Sequence, residues 1–451
     1  MFAFTAVVRR FALGLCLILF VFVFPALVAA APIAKVQRIV TPAGIEIWYV
    51  QEPNIPVISV SLGFRGGTAL DPPGKSGLAN FALGLLDEGA GDLDSLAFQK
   101  AIINRAIHLN SNASRDLVSV SLQTLTRNRD EAFELLGLAL GDARFEAAPV
   151  ERVRGQILSI LADEERNPRN IAARTWFGDV FQDHPYAQRA NGTEIAVRAI
   201  TPTDLREWAR GRFARDNLIV GASGDVSPDE IARLIDIALA GLPAKAYPAS
   251  VPEALFPSTG ATQIIRMPLM QSMVIFGLPG LKRDDDDFYA AYVMNYILGG
   301  GGFTSRLYQE VREKRGLAYS VYSYLAPLQH AALYMGGVAT RNDGVAQSLD
   351  IIRAEIARLA EKSVSAEELS VAKQYLTGAF PLRLDTGSKV AGILVQMQFE
   401  SLGIDYLERR NGYMEAVTLD DIGRVARRLL DPARMRIVVV GDPEDLAADG
   451  S

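Results

Sequence analysis

The chain has 451 residues, of which 49% are hydrophobic, and a formal net charge of −6 at pH 7. A mildly acidic chain lacks the basic footprint of nucleic-acid-binding proteins, so no nucleic-acid partner is expected. The only cysteine, Cys16, excludes an intrachain disulfide and a cysteine metal site, and the length predicts more than one domain.

The first 31 residues have the pattern of a cleavable secretory signal peptide. Arg9 and Arg10 precede an apolar run at 11–28, and three alanines at 29–31 supply the small residues of a cleavage zone. A retained anchor is the alternative, because the run is about long enough for a short membrane span. We expect cleavage, a periplasmic location, no stable membrane insertion of the mature chain, and a charge of −8 once Arg9 and Arg10 are taken from the total of −6.

Residues 36–240 are predicted to form a first domain. Alternating apolar and polar residues predict half-buried strands at Ile45–Val50, Val57–Leu62 and Leu117–Leu122. Between the second and third of these strands lies Asn80–Gly84, an apolar stretch with a helical pattern. Strands interspersed with helices in this way are typical of an α+β fold.

Residues 241–260 contain four prolines and few periodic apolar positions, which predicts an extended linker. Residues 261–445 are predicted as a second domain, with strands at Met273–Leu278 and Ala332–Met335 and a helix beginning near Asp285. The four aspartates around that position are typical of the acidic first turn of a helix, and a calcium or magnesium site is the alternative.

Two segments separated by 217 residues are similar, which indicates an internal duplication. Thr201–Leu205 recurs as Thr418–Ile422, and Gly224-Asp225 recurs as Gly441-Asp442 in the same register. Each segment is predicted as a capped helix followed by an apolar strand that ends in Gly-Asp. Several matches in one register favour two homologous halves.

Motifs along nearly the whole mature chain resemble the pitrilysin-type (M16) metallopeptidases. In the first half these motifs are Ser76–Gly89, Leu109–Asp116 and His184–Thr193, and the most specific match, in the second half, is Leu298–Tyr319. The resemblance implies the LuxS/MPP-like metallohydrolase fold. In that fold two homologous halves, each a mixed and mostly antiparallel sheet covered by helices, face each other as a clamshell.

Active members of the family carry His-x-x-Glu-His on a helix of the first half, where the histidines hold zinc and the glutamate activates water. The matching positions here are Asn80, Leu83 and Gly84, and the third zinc ligand, a later glutamate, falls at Ile160. None of these side chains can ligate zinc or act as the base. The chain's three histidines are far apart in sequence, so we expect this chain to bind no metal and no cofactor.

The second half keeps another part of the family's site. Arg312 and Tyr319 match an Arg/Tyr pair that, in active members, reaches across the clamshell to bind substrate backbone and stabilise the oxyanion. A guanidinium and a phenol suit this role because both donate hydrogen bonds to developing negative charge. The structural alternative makes Arg312 a surface helix residue and Tyr319 a buried strand residue.

The glycine run 299–302 allows three interpretations. A phosphate-binding loop would need a following Lys-Ser/Thr or a G-x-G-x-x-G pattern, and neither is present. A helix-ending turn with positive φ is the ordinary interpretation. The resemblance adds a third, in which Gly300, Gly301 and Gly302 guide substrate, as a longer glycine-rich loop does in non-catalytic processing-peptidase subunits.

We hypothesise that the chain is the non-catalytic subunit of a heterodimeric, exported zinc peptidase. It would close the substrate chamber and supply Arg312 and Tyr319 to the active site of a homologous, zinc-bearing partner that cleaves peptides. Alone it would hydrolyse nothing. The alternatives are a stand-alone periplasmic clamshell that binds peptides or acts as a chaperone, a structural scaffold, and an active peptidase with a displaced metal site.

Overall fold

The computed structural model describes residues 35–446, so the predicted signal peptide lies outside the described residues. This part of the chain contains eleven strands and fourteen α-helices. The strands are β1 (Gln37–Val40), β2 (Glu46–Gln51), β3 (Val57–Arg65), β4 (His108–Ala113), β5 (Leu117–Leu125), β6 (Leu218–Gly224), β7 (Ala261–Arg266), β8 (Gln271–Pro279), β9 (Ala318–Pro327), β10 (Ala332–Arg341) and β11 (Arg436–Gly441).

The helices lie between groups of these strands along the chain. They are α1 (Leu78–Leu83), α2 (Ser95–Asn104), α3 (Arg129–Gly141), α4 (Ala147–Glu164), α5 (Pro168–Phe181), α6 (Glu194–Ala199), α7 (Pro202–Arg212), α8 (Pro228–Leu239), α9 (Phe288–Asn295), α10 (Val345–Lys362), α11 (Ala366–Gly378), α12 (Gly387–Phe399), α13 (Tyr406–Ala416) and α14 (Leu419–Leu429). Among residues 35–446, no helix is both long and apolar enough to cross a membrane.

Two sheets of the same topology confirm the predicted α+β fold of two halves. The first has the order β1-β2-β6-β3-β5-β4 and the second β7-β11-β8-β10-β9. One pair in each sheet is parallel, β2 with β6 and β7 with β11, and the other pairs are antiparallel. The two sheets differ only in the extra edge strand β1, as expected of a duplicated unit.

The duplication is also visible in the helix that precedes the last strand of each half. Thr201 caps α7 and Thr418 caps α14, each in a capping box with the aspartate three residues later. The strands that follow end at Gly224 and Gly441, which both adopt positive φ, of 159° and 154°. The sequence similarity therefore marks a repeated helix–strand unit with the same cap and the same end.

The predicted strands correspond to β2, β3, β5, β8 and β10, and residues 241–260 contain no helix or strand. The helix predicted near Asp285 begins three residues later, at Phe288, because the aspartates form the turn before it. Their carboxylates pair with α14: Asp285 with Arg428, and Asp287 with Arg424. The acidic run is therefore the turn before a helix, where negative charge is favourable, and its carboxylates are held by arginines rather than by a metal ion.

Helices α5 and α12 occupy equivalent places in the two halves, and each packs on the sheet of the other half. Helix α5 covers β8 and β11, where Trp176 lies against Gly277 and its Nε1 donates to the Arg436 carbonyl oxygen at 3.0 Å. Helix α12 covers β3 and β6, and Gly221 has no room for a Cβ beside Ala391. Because each half covers part of the other's sheet, separating the halves would expose apolar surface on both.

Hydrogen bonds join the halves at a second place. The Tyr186 hydroxyl donates to Asp116 Oδ1 at 2.6 Å and accepts from the His330 N–H at 3.0 Å. The Gln329 N–H donates to the other oxygen of Asp116 at 3.1 Å. Burial and the neighbouring Asp116 raise the pKa of Tyr186, so the phenol stays neutral and donates.

Candidate functional site

Helix α1 carries the positions of the lost zinc motif, and hydrogen-bonded amides occupy its solvent side. Asn80 Nδ2 donates to the Ala190 carbonyl oxygen at 2.8 Å and to Asn191 Oδ1 at 3.1 Å. Asn191 Nδ2 in turn donates to Glu164 Oε1 at 2.7 Å. The first histidine position therefore serves a structural network that ties α1 to α4 and to the segment after α5.

The other positions of the motif are equally unsuited to a metal. Leu83 is 4% exposed and packs in the core, Gly84 ends α1, and Ile160 is 48% exposed on α4. Within residues 35–446, no group of three or more histidine, cysteine, aspartate or glutamate side chains is arranged to hold a metal ion. The carboxylate nearest in the network, Glu164, is engaged by an amide instead.

Asp71 fixes the start of α1. Its carboxylate accepts from the backbone N–H groups of Gly77 at 2.9 Å and Ala79 at 3.0 Å, and Gly77 adopts a φ of +90° that favours glycine. Burial raises the pKa of Asp71 to about 7, and the backbone donors of α1 oppose that shift. Asp71 thus holds α1 in place, although the positions on this helix that would carry the zinc motif have no metal ligand.

Arg312 and Tyr319 lie together at the surface of the second half. Arg312 is in a π-helical turn, Tyr308–Glu313, and its guanidinium lies 5.0 Å from the centroid of the Tyr319 ring. Tyr319 is 77% exposed, so the structural alternative that made it a buried strand residue is wrong. No carboxylate among the described residues forms an ion pair with Arg312.

A β-bulge explains why Tyr319 points outward. In the pairing of β9 with β10, Ala339 lies opposite Ser320 and Thr340 lies opposite Ala318, so Tyr319 is the residue left unpaired. A bulge bends its strand and redirects the extra side chain, and bulges are frequent beside functional sites. Nothing in the local sequence indicates the bulge, because it depends on the partner strand.

Two aromatic residues that sequence alone did not identify connect this pair to the glycine run. The Arg312 guanidinium lies 4.8 Å from the ring of Tyr308, and Tyr308 makes an edge-to-face contact with Phe303 at 5.0 Å. Phe303 follows the glycines and is 72% exposed. The spacing of four residues between Tyr308 and Arg312 is the one sequence signal that places them on one face.

The glycines end a helix, as the ordinary interpretation predicts. A π-helical turn, Tyr296–Gly300, continues α9, and Gly302 adopts a φ of +56°. A Cβ on Gly300 would lie 2.5 Å from Asn295 Nδ2, and one on Gly301 would lie 2.7 Å from the Tyr296 carbonyl oxygen. Close packing and the turn therefore require these glycines, and a role for Gly300, Gly301 and Gly302 in guiding substrate stays a prediction.

Arg306 anchors the segment between the glycines and Arg312. Its guanidinium donates to both oxygens of Glu368, at 2.7 and 2.9 Å. Glu368 also accepts from the Ser365 N–H at 2.8 Å and completes the capping box of α11. Hydrogen bonding to Arg306 lowers the pKa of Glu368 to about 2, so the anchor is charged at neutral pH.

Arg312 and Tyr319 open onto a shallow cavity of about 430 Å³, which Gln271, Glu313 and Arg341 also line. In the described part of the chain, no hydrogen bond, ion pair or ring contact connects this cavity with the lost zinc positions on α1. The structure thus brings Arg312, Tyr319 and the glycine run into one surface, and leaves the lost zinc positions in another.

Comparisons with known proteins identify the same family as the sequence motifs do. Residues 46–194 match the family profile "Insulinase (Peptidase family M16)", and residues 199–376 match "Peptidase M16 inactive domain". The chain is 28% identical over 395 residues to a "Non-peptidase homolog YmxG" of Helicobacter pylori, covering 86% of this chain and 90% of that protein. It is also 28% identical to an uncharacterized zinc protease of Streptomyces coelicolor, over 92% of each chain.

Among solved structures, the chain is similar to a peptidase M16 inactive domain from Pseudomonas fluorescens. The TM-score is 0.86 and the sequence identity 27%, over 91% of this chain and 98% of that one. The similarity extends over both halves, so the two chains share the overall fold.

Proposed function

This chain belongs to the M16 peptidase family, and from that premise we propose that it is the non-catalytic subunit of a two-subunit zinc peptidase. It closes the substrate chamber and lends Arg312 and Tyr319 to the active site of a homologous, zinc-bearing partner. The observation that carries the proposal is the contrast between the two sites. Tyr319 is exposed and lies against the half-buried Arg312, whereas Asn80, Leu83, Gly84 and Ile160 offer no ligand to zinc.

The state of the Arg312 guanidinium supports a role toward a bound molecule. It is held between the rings of Tyr308 and Tyr319, which fixes its plane without occupying its N–H donors. Arg315, three residues later, is different, because its Nη1 donates to Glu310 at 2.7 Å. A preorganised guanidinium with free donors suits an oxyanion or a peptide carbonyl group.

Strand β9 supports a peptide as the bound molecule. It pairs with β10 on one side and is an edge strand of the second sheet, so its outer backbone groups face no strand among the described residues. Extended peptides bind such edges by strand addition. A peptide on β9 passes Tyr319 at the start of the strand, within reach of the Arg312 cavity.

The test is to mix the chain with its zinc-bearing homologue and follow cleavage of a fluorogenic peptide. We expect no cleavage by this chain alone and cleavage by the mixture. Arg312→Ala should lower kcat of the mixture about a hundredfold, the scale of losing one oxyanion donor. Tyr319→Phe, which keeps the ring but removes the hydroxyl, should lower kcat by a similar factor on the same grounds.

Arg315→Ala is the matched control, because this arginine lies in the same segment and is already paired with Glu310. It should leave kcat of the mixture unchanged. If Arg312→Ala and Arg315→Ala behave alike, the shared site does not exist. Cleavage by the isolated chain that a chelator abolishes would contradict the non-catalytic assignment itself.

A stand-alone peptide-binding clamshell is the second candidate, and the edge strands β4 and β9, one in each sheet, favour it. It predicts that the purified chain binds peptides without any partner and that Arg312→Ala changes affinity but no catalytic rate. The predicted export signal supports a periplasmic setting for either function. Fractionation of the native host tests that location directly.

A further inference from the structure

A second, partly enclosed cavity of about 220 Å³ lies in the second half, away from Arg312 and Tyr319. Helices α9, α12 and α13 form its walls. Aromatic rings and sulfur-containing side chains dominate the lining, among them Tyr289, Phe380, Met397, Tyr406 and Met414. Such a lining suits an apolar, flat molecule.

One arginine of this cavity already has a carboxylate partner in the protein. Arg283 Nε donates to Glu400 Oε2 at 2.9 Å, and its Nη2 donates to the hydroxyl oxygens of Tyr289 and Tyr406 at 3.2 and 3.1 Å. The guanidinium also lies 4.2 Å from the ring of Phe288. Arg283 therefore braces the wall and has a carboxylate partner of its own.

Arg410 on α13 has no such partner. It is 4% exposed, and its Nη1 donates to the Leu376 carbonyl oxygen at 3.0 Å and to Asn411 Oδ1 at 3.1 Å. Nε and Nη2 have no hydrogen-bond partner among the described residues, nor does any carboxylate there form an ion pair with Arg410. The guanidinium also lies 4.1 Å from the centroid of the Phe380 ring, but no carboxylate among the described residues balances its charge. A buried cation without a counter-ion is costly, so a ligand in the cavity would supply the negative charge.

The charge of the lining points the same way. Arg283, Arg383 and Arg410 face the cavity together with a single carboxylate, Glu400, which Arg283 already holds. The cavity thus carries a surplus of positive charge within a chain whose net charge is −6. Arg383 lies on the exposed rim and has no ion-pair partner in the described structure.

We propose that this cavity binds a small aromatic carboxylate, with its carboxylate on Arg410 and its ring among the aromatic and methionine side chains. The size is suitable, since an apolar cavity of about 150 Å³ holds benzene and this one has about 220 Å³. Two kinds of ligand carry an aromatic ring next to a carboxylate: a free aromatic acid, and a peptide whose C-terminal residue is aromatic. The site is separate from the Arg312 surface and does not depend on the function proposed for it.

The test measures binding of phenylacetate and of phenylacetamide to the full mature chain by isothermal titration calorimetry. We expect phenylacetate to bind and the neutral amide to bind at least about tenfold more weakly, because a charge-assisted bond to Arg410 is lost. No binding of phenylacetate at concentrations up to about 10 mM overturns the proposal. Equal binding of the acid and the amide also overturns it.

Two variants locate the binding. Arg410→Met should reduce affinity for phenylacetate at least about tenfold, and Ile393→Trp, which keeps every charge, should block binding by filling the cavity. Arg353→Met, on the exposed face of α10, is the control and should bind as the unaltered chain does. Arg410→Met removes a buried contact and could prevent folding. In that case the Ile393→Trp variant alone provides the test. Unchanged affinity in either folded variant refutes the site.

Peptides distinguish the two sources. A short peptide that ends in phenylalanine is compared with the same peptide amidated at its C-terminus. Binding of the free-acid peptide but not the amide supports the site with peptide C-termini as its ligands. Binding of phenylacetate without binding of either peptide would support the site and identify free aromatic acids as its ligands.

Discussion

The guanidinium of Arg312 lies 4.8 Å from the ring centroid of Tyr308, a residue that is only 6% exposed. Tyr308 is thus the buried side of a stack whose outer side is the exposed ring of Tyr319. A cation held between two rings keeps its plane while its N–H groups remain available. This arrangement makes Tyr308 a positioning residue for Arg312.

Tyr308→Leu should therefore lower kcat of the mixture with the zinc-bearing homologue about tenfold, because Arg312 loses the surface that orients it. Tyr308→Phe keeps the ring and should restore the rate. Melting curves of both variants separate loss of orientation from loss of folding. A Tyr308→Leu variant that is folded and fully active in the mixture would show that the stack does not matter.

Much of the second-half site follows from the order of residues along the chain. Arg312 and Tyr319 were identified by their flanking motif, and the turn at Gly302 was expected from glycine's access to positive φ. The bulge that turns Tyr319 outward was not expected, because it arises from pairing with β10. Register between strands is a property of two segments, and one segment alone does not encode it.

The same limit applies to the fold. Alternation of apolar residues predicted β2, β3, β5, β8 and β10, and the duplication predicted two similar halves. No local pattern shows that Trp176 on α5 would pack against Gly277 in the other half. Nor does any pattern show that Asn80 would bind Asn191. Both contacts join segments about a hundred residues apart or more, so only the folded chain reveals them.

Glu368→Gln tests the anchor of the segment that carries Arg312. Glu368 holds Arg306 and caps α11, and its pKa is lowered from 4.5 to about 2 in the folded state. A lowered pKa contributes stability that is present above the unfolded value and is lost as the pH falls from about 4.5 towards 2. At pH 7 the variant should lose about 1–2 kcal/mol of unfolding free energy, a value reduced for partial exposure of the pair.

Urea denaturation at pH 7 and at pH 3 measures this effect. The difference between Glu368→Gln and the unaltered chain should shrink at the lower pH, because at pH 3 the Glu368 carboxyl is mostly protonated in the unfolded chain, which offsets the stability that its charge gives the folded chain. The glutamine does not titrate. A difference that stays constant with pH would assign the stability to packing instead of charge. Arg315→Ala in the same segment should change stability by at most about 1 kcal/mol, because Arg315 itself is partly exposed and Lys314 still pairs with Glu310.

The repeated capping boxes make a prediction about the duplication. Thr201→Ala and Thr418→Ala each remove a side chain that accepts a backbone N–H at the start of α7 and α14. Each should cost about 1 kcal/mol of unfolding free energy. Since the two caps have the same hydrogen bonds, the two losses should be similar, and the double variant should show their sum.

Thermal melting of the two single variants and the double variant checks this equality. Exposed threonines outside a cap, such as Thr259, provide the control, and Thr259→Ala should leave the melting temperature nearly unchanged. A large effect of one cap with none of the other would mean that one helix end no longer contributes to stability. Such an outcome would contradict the equivalence of the halves at this point.

Leu83→Glu tests whether the lost zinc motif has been absorbed into the core. Leu83 is 4% exposed and packs among apolar residues of the first half, so a carboxylate there would be buried without a partner. The variant should lose about 3–5 kcal/mol of unfolding free energy at pH 7, whereas Leu83→Met, which preserves volume, should lose less than about 1.5 kcal/mol.

The cost of Leu83→Glu should also depend on pH. Burial would raise the pKa of the new carboxyl above its unfolded value, so the loss of stability should increase as the pH rises from about 4 to 7. Denaturation curves at the two pH values give this dependence. A variant as stable as Leu83→Met at pH 7 would mean that the position still opens toward solvent and could again accept the catalytic glutamate.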